Sequence, residues 1–363
     1  MTTYVIDEAA VRHNIALTQQ IAGVPVIAVV KGNGYGLGLS WLAEQAYEGG
    51  IRLFAITEIS DIPALREAIG PHGDILMLRS TAVDEEAAAI AHAGCIASIG
   101  STAAARALNE AAATIGVQAR AHIKLDCGLG RYGFFPDDLD AIAACFALKH
   151  VTVEGIYSHF SQASAWWNKD KSYRELDAFN RCIAALESRG YSVGMRHMAN
   201  SPALLNIPEA KLDAVRAGSA FTGRVVTDND PGLIRVGFLE APVIDLKHFP
   251  KDTPMGYGGA FKTKRDTTAA IVPIGTQDGF GLQVKPLSDL HQVLAAGKRL
   301  AKHESAAVAI GGATYPVLGV VDMSLSMVDV TDSPVAVGET AVVDINPLLV
   351  SPRVPRSYRA EVG

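Results

Sequence analysis

Along the first two thirds of the chain, short apolar runs rich in β-branched residues alternate with longer stretches in which alanine and leucine recur at helical spacing. The runs are VPVIAVV from Val24, IRLFAI from Ile51, DILML from Asp74, CIASIG from Cys95, RAHIKLD from Arg120, VTVEGIYSH from Val151, SVGMRHMA from Ser192 and LDAVRAG from Leu212. The helix-like stretches between them include 39–48, 59–68, 101–115 and 172–189. Strands that are apolar on both faces need cover on both sides, which helices supply in a parallel sheet. Eight such strands separated by helices predict a closed (β/α)8 TIM-like barrel, in the α/β class. A doubly wound open sheet has the same periodicity, so the pattern favours the barrel without excluding the alternative.

From about Leu239 the texture changes. APVIDLKHF, TAAIVPIG, ATYPVLGVV, SMVDVTD and TAVVDI are short strands punctuated by glycine and proline, with little helical pattern. They predict a C-terminal all-β domain. The expected division is therefore a barrel over 1–235 and a β domain over 236–363, with a polar, helix-capable insertion at 283–305.

Bulk properties narrow the function. A chain of 363 residues exceeds the size at which one core stops growing, and 49% apolar against 19% charged residues argues against disorder. A formal charge of -6 leaves no basic footprint for nucleic acid. The four cysteines, Cys95, Cys127, Cys145 and Cys182, match neither a disulfide framework nor a zinc pattern, so no metal is expected. Residues 1–20 lack an apolar signal core, and no run reaches the ~18 apolar residues of a membrane span. The expectation is a soluble cytoplasmic protein with a small-molecule partner and no membrane.

In a barrel, chemistry sits where strands end and βα loops begin. The unusual polar residues fall there: Lys31 after the first strand, Lys124, Asp126 and Arg131 after the fifth, and His159 after the sixth. Asn200 with Ser201 follows the seventh, and Arg216 with Gly218 the eighth. Singly, each has a plain explanation. Lys31 could be a solvated strand end, His159 a satisfied core histidine, Lys124 and Asp126 an ion pair, Ser201 and Gly218 turn residues. Repeated over five strands, that explanation weakens, because charged groups at apolar strand ends are costly to desolvate. Gly32, Gly34, Gly36 and Gly38 let backbone N–H groups approach an anion, and Tyr35 adds a phenol. An amine beside an anion cradle is coherent with pyridoxal phosphate.

AVVKGNGYGLG resembles the lysine motif of the alanine racemase family, the barrel-type pyridoxal-phosphate enzymes, and HIKLDCGLGRYGF resembles its second signature. GIYSHFSQA, RHMANSPALL and VRAGSA follow in the family's order and spacing. MGYGGAFKTKRDTTAAIVPIGTQDGFG resembles the segment carrying the family's catalytic tyrosine, and GVVDMSLSMVDVTD and SPRVPR complete the series. The resemblance covers nearly the whole chain apart from 283–305.

It implies Lys31 as the Schiff-base lysine and one acid–base group, with Tyr257 as the other. Tyr257 would reach the opposite face of the cofactor from the partner subunit of a head-to-tail homodimer. Tyr35, Ser201, Gly218 and Ser219 would hold the phosphate, with Asn200 in the same cofactor site. Arg216 would hydrogen-bond the pyridine nitrogen, and His159 would stand behind it and link to Tyr257. Arg131 would bind the substrate carboxylate, Lys124 would orient that arginine (in many relatives as a carbamate), and Met323 would offer its backbone N–H. The implied activity is interconversion of L- and D-alanine by proton transfer at Cα.

The sequence also departs from the family. Pro352 and Thr276 stand where tyrosines are usual, Val320 and Ser324 replace an arginine and an aspartate, and Asp322 introduces a carboxylate. These changes leave serine or another larger, polar amino acid as the alternative substrate. A decarboxylase or aldolase on the same scaffold and a non-catalytic cofactor-binding protein are the remaining readings.

Overall fold

The apolar runs become strands where the pattern places them. The protein, described by a computed structural model over residues 1–165, 167–227, 231–256, 259, 261–282 and 306–360, divides into two compact units. One is Ala9–Arg235; the other combines Met1–Glu8 with Val236–Gly363.

In the first unit Val26–Val29, Leu53–Ile56, Asp74–Met77, Ile96–Ile99, Ala119–Lys124, Val151–Tyr157, Met195–His197 and Val215–Ala217 form one eight-stranded parallel sheet. Val215–Ala217 pairs with Val26–Val29, placing Arg216 opposite Ile27, and a parallel bridge from His197 to Ala214 closes the ring. This is the barrel, not the open sheet. Its interior is filled from the strands by Ile27, Val29, Ala55, Leu76, Ile96 and Ala214. Each fully buried isoleucine or leucine among them contributes about 1.5–3 kcal/mol.

The outer helices follow from amphipathic spacing and local caps. Thr102–Ile115 begins where Ser101 Oγ accepts the Ala104 N–H at 3.1 Å, buries Ala104, Ala105, Leu108 and Ala112, and stops at Gly116 in the left-handed region. A cap of that kind is worth about 1 kcal/mol. Asp170–Ser188 buries Leu176, Phe179, Ile183 and Leu186 at spacings of three and four, together with the carboxylate of Glu175. Glu175 accepts from the Ser161 N–H at 3.0 Å, which ties this helix to the loop after the sixth strand. No helix among the described residues is long and apolar enough to cross a membrane.

The second unit is all-β. Its six-stranded sheet runs Ala313–Pro316, Ala307–Ile310, Thr340–Asp344, Gly237–Pro242, Thr3–Asp7, Arg356–Arg359, beside sheets of three and two strands. One segment departs from the expected 1–235 barrel. Thr3–Asp7 pairs antiparallel with Gly237–Pro242 and parallel with Arg356–Arg359, so the first eight residues belong with the β unit. Tyr4, Val5 and Ile6 of the strand are buried there.

Candidate active site

The first barrel strand delivers Lys31 into a sharp left-handed turn. Gly32, Asn33 and Gly34 have φ of 63, 54 and 61°, and Tyr35 follows at 54°. Glycine and asparagine visit this region at little cost, but a tyrosine there is held by its surroundings. The turn is closed by Gly34 N–H to Val30 O at 2.8 Å and Gly36 N–H to Gly32 O at 3.0 Å. Asn33 Oδ1 accepts the Leu39 N–H at 3.1 Å and so starts the next helix. The Tyr35 ring then lies against the backbone of Gly218. A Cβ at that glycine would stand 2.8 Å from Tyr35 Oη, which is why no larger residue fits.

Lys124 ends the fifth strand with 1% exposure, forms no ion pair among the described residues and donates to the Leu125 carbonyl. Two residues on, the Asp126 carboxylate gathers the loop around itself. Oδ1 accepts from the N–H groups of Gly128, Leu129 and Gly130 at 3.1, 2.9 and 3.1 Å, and Oδ2 from Arg131 N–H at 2.8 Å. Burial alone would raise its pKa, but the N–H groups of Gly130, Gly128 and Arg131, with Lys124 beside them, hold it below 3.8. The loop presents Arg131, whose guanidinium lies 5.0 Å over the Tyr132 ring.

Asn200 caps the helix Ser201–Asn206 by accepting the Ala203 N–H at 3.0 Å. Ser201 Oγ accepts from Gly218 and Ala220 N–H at 3.1 and 3.2 Å, which fixes the loop after the eighth strand. Arg216 is held from behind. Nη1 donates to His197 Nδ1 and O at 2.8 and 3.1 Å, and Nη2 to Ser158 O, His159 Nδ1 and Met198 O at 2.7, 3.1 and 3.1 Å. Nε is left without a protein partner among the described residues. An arginine only donates, so His159 must offer the lone pair of Nδ1 and carry its proton on Nε2. The Asn200 Nδ2 contact to that nitrogen, at 3.4 Å, is correspondingly long.

These residues converge. Lys31, Tyr35, Lys124, Arg131, His159, Asn200, Ser201, Arg216, Gly218 and Ser219, all expected from the sequence, line one cavity of about 270 Å³ in the barrel unit. Val29, Thr57, Leu78, Tyr132, Tyr157 and Pro202 complete it. Tyr157 was not singled out from the sequence, although it lies two residues before His159, the spacing that puts side chains on one face of a strand. The Met323 expected beside these residues belongs to the β unit. Its carbonyl accepts the Gln277 N–H at 2.9 Å while the Thr276 N–H bonds Asp322 O at 2.9 Å, so two of the segments around the departing positions pack together. Tyr257 and the insertion at 283–305 lie outside the described residues.

Among the described residues, four cationic side chains and no carboxylate line the cavity. Burial lowers the Lys31 pKa below 10.5, helped by the guanidinium groups of Arg131 and Arg216. Burial, then Arg216, brings Lys124 down to about 8, and burial brings Arg216 down to about 10. Burial also raises the Tyr35 phenol and holds His159 well below 6.5. Such a pocket favours anions and eases proton loss from both of its lysines. Pyridoxal phosphate fits the donor set: a dianionic phosphate for the serine and glycine side, an aldehyde for the Lys31 amine, and a ring nitrogen that accepts from the unpartnered Arg216 Nε.

Comparison with known proteins agrees with this geometry. Residues 6–225 match the family model for the alanine racemase N-terminal domain, and residues 236–347 the model for the alanine racemase C-terminal domain. The alanine racemase of Desulfovibrio desulfuricans is 32% identical over 343 residues, covering 92% of this chain and 86% of that protein. That of Desulforamulus reducens is 34% identical over 304 residues, covering 81% and 80%. The solved alanine racemase from D-cycloserine-producing Streptomyces lavendulae superposes with a TM-score of 0.85 at 27% identity, covering 99% of this chain and 97% of that one.

Proposed function

The chain belongs to the alanine racemase family, and from that premise we propose that it is a pyridoxal-phosphate-dependent racemase of alanine, with Lys31 and Tyr257 as its two acid–base groups. The observation that carries the reading is the barrel cavity, where Lys31, Lys124, Arg131 and Arg216 converge with no carboxylate among them. We further assign it as a cytoplasmic homodimer in which Tyr257 and Met323 of each chain serve the partner's cavity.

When bound, the cofactor acidifies the substrate Cα–H by drawing electron density into its ring. The protein's part is to hold, orient and exchange protons. Racemisation requires one group on each side of Cα, so two residues are the minimum. Lys31 Nζ serves one side, and burial, with Arg131 and Arg216 nearby, lowers its pKa from 10.5 and so eases loss of its proton. Tyr257 serves the other, with the His159 Nε2–H as the donor that stabilises its phenolate. Arg216 donates through Nε to the ring nitrogen without surrendering a proton, because a guanidinium stays charged at neutral pH. Tyr35, Asn200, Ser201, Gly218 and Ser219 hold the phosphate end, and Arg131 receives the substrate carboxylate. Lys124, a buried amine with a pKa of about 8, is suited to carbamate formation, which would give Arg131 an anionic neighbour.

The test is Tyr257→Phe in the holoprotein, read by loss of optical activity and α-deuterium uptake from heavy water. The variant should keep its bound cofactor and lose inversion by about 10²–10⁴-fold, the usual worth of an acid–base group. Undiminished inversion would reject the assignment. A panel containing alanine, serine, lysine and arginine ranks the substrates.

A further inference from the structure

Behind Arg216 the barrel interior holds two imidazoles that do not line the cavity. Arg216 Nη1 lies 2.8 Å from His197 Nδ1, and His197 Nε2 lies 2.9 Å from His122 Nδ1. A guanidinium can only donate, so His197 must present the lone pair of Nδ1 and carry its proton on Nε2. That Nε2–H donates onward. His122 must therefore present its own Nδ1 lone pair and carry its proton on Nε2 as well. One cation at the head of the chain thus fixes the tautomer of both rings.

The packing leaves no room to reverse it. Tyr157 stacks on His197 with centroids 4.8 Å apart and planes 3° from parallel. Its hydroxyl is anchored by Ser98 Oγ at 2.7 Å and the Leu78 carbonyl at 3.0 Å. His197 has no exposed surface and His122 only 2%, so water cannot replace a missing partner. Burial, with Arg216 beside it, holds His197 well below 6.5, and burial with Arg120 and Arg216 brings His122 down to about 4. Both rings are neutral, as the hydrogen-bond directions require. On the other flank His159 Nδ1 takes an Nη2 hydrogen, and the carbonyls of His197, Ser158 and Met198 share the two Nη hydrogens that remain. Only Nε–H remains to face the cavity.

We propose that His122 is a positioning residue for this site: by accepting the His197 Nε2–H it holds that ring where its Nδ1 receives Arg216, and so keeps Nε–H as the one donor offered to the cofactor's ring nitrogen. This rests on the pyridoxal-phosphate reading of the cavity. Without the His122 acceptor, the buried His197 Nε2–H has no partner, while Arg216 still forbids a proton on Nδ1, so the ring can relieve the loss only by shifting its position. A shifted ring loosens one flank of the guanidinium.

The experiment is ring-nitrogen NMR of the cofactor-free protein, followed by the absorption band and kinetics of the loaded one, for wild type, His122→Leu and His122→Asn. In the wild type both His122 and His197 should be neutral Nε2–H tautomers. His122→Leu should keep the His197 proton on Nε2 but move that nitrogen's resonance to the position of an N–H without a hydrogen bond, shift the absorption band of the bound cofactor and lower kcat about tenfold with KM nearly unchanged. His122→Asn, whose amide oxygen can stand where Nδ1 was, should recover the hydrogen-bonded resonance and most of the rate. If the leucine variant does not fold, the wild-type spectrum and the asparagine variant decide. An Nδ1–H or doubly protonated ring at either position in the wild type at neutral pH overturns the proposal, as does an unaltered His197 Nε2 resonance with an unaltered rate in His122→Leu. The stated tautomers in a protein that racemises nothing would instead overturn the racemase reading and leave the hydrogen-bond chain standing.

Discussion

Replacing Asp126 by asparagine tests how the loop carrying Arg131 is held. The carboxylate takes four backbone N–H groups, three on Oδ1 and that of Arg131 on Oδ2. Asparagine keeps one oxygen, which must stay with the three, so its NH2 faces the Arg131 N–H and that bond is lost. A hydrogen bond to a charged acceptor contributes about 1.5–3 kcal/mol, and the other three weaken from charged to neutral acceptors. Gly128, Gly130 and Arg131 are exposed, so water recovers part of the loss, and roughly 2 kcal/mol remains. If that free energy goes into placing Arg131 against the substrate carboxylate, KM for alanine rises about 30-fold. The kcat should change less, because the amine of Lys31 hangs on a different strand. The assay is initial rates against L-alanine concentration with chiral separation of the product, beside thermal unfolding. The Asp126 pKa is depressed in the folded state, so its contribution is complete above the unfolded carboxyl value of about 4 and disappears as pH falls through the folded one. The difference in melting temperature between wild type and Asp126→Asn should therefore be full at pH ~7 and close in acid. A KM within twofold of wild type (about 0.4 kcal/mol) with unchanged melting would refute the reasoning.

Two further substitutions probe the same cavity. Lys124→Met should stabilise the cofactor-free protein in carbonate-free buffer at neutral pH, by up to about 3 kcal/mol, because it removes a buried ammonium whose pKa has fallen to about 8. A lowered amine pKa means the unfolded chain binds more protons between pH 8 and 10.5, so wild-type stability climbs over that range and the variant's advantage should fade there; an advantage independent of pH, or none, contradicts it. Gly218→Ala should weaken pyridoxal phosphate binding at least tenfold in an absorbance titration (~1.4 kcal/mol), because the new methyl displaces the Tyr35 ring; unchanged affinity would show that Tyr35 has no part in holding the phosphate end.

The barrel was readable because its strands are locally complete: each apolar run is flanked by turn residues, and all eight runs appear in one sheet. The cavity was readable because polar residues at the ends of such runs have few structural excuses. Three features were not. Thr3–Asp7 reads like any short strand, and nothing local reveals that its partner begins at Gly237. The glycines after Lys31 announce a permissive turn, but not that Tyr35 shares its left-handed backbone. His122 and His197 sit inside apolar runs, where a lone histidine reads as filler, and only their 2.9 Å approach makes them a chain.

The placement of Thr3–Asp7 between Gly237–Pro242 and Arg356–Arg359 makes the barrel an interruption within another domain's thread. No single cut yields two intact halves. Severing after Arg235 strips the large sheet of an interior member and leaves that member dangling from the wrong piece. On the ribosome, at about 5–20 residues per second, this segment waits roughly 10–50 s before its first neighbour is synthesised. For that interval Tyr4, Val5 and Ile6, buried once folding ends, need shelter from somewhere else.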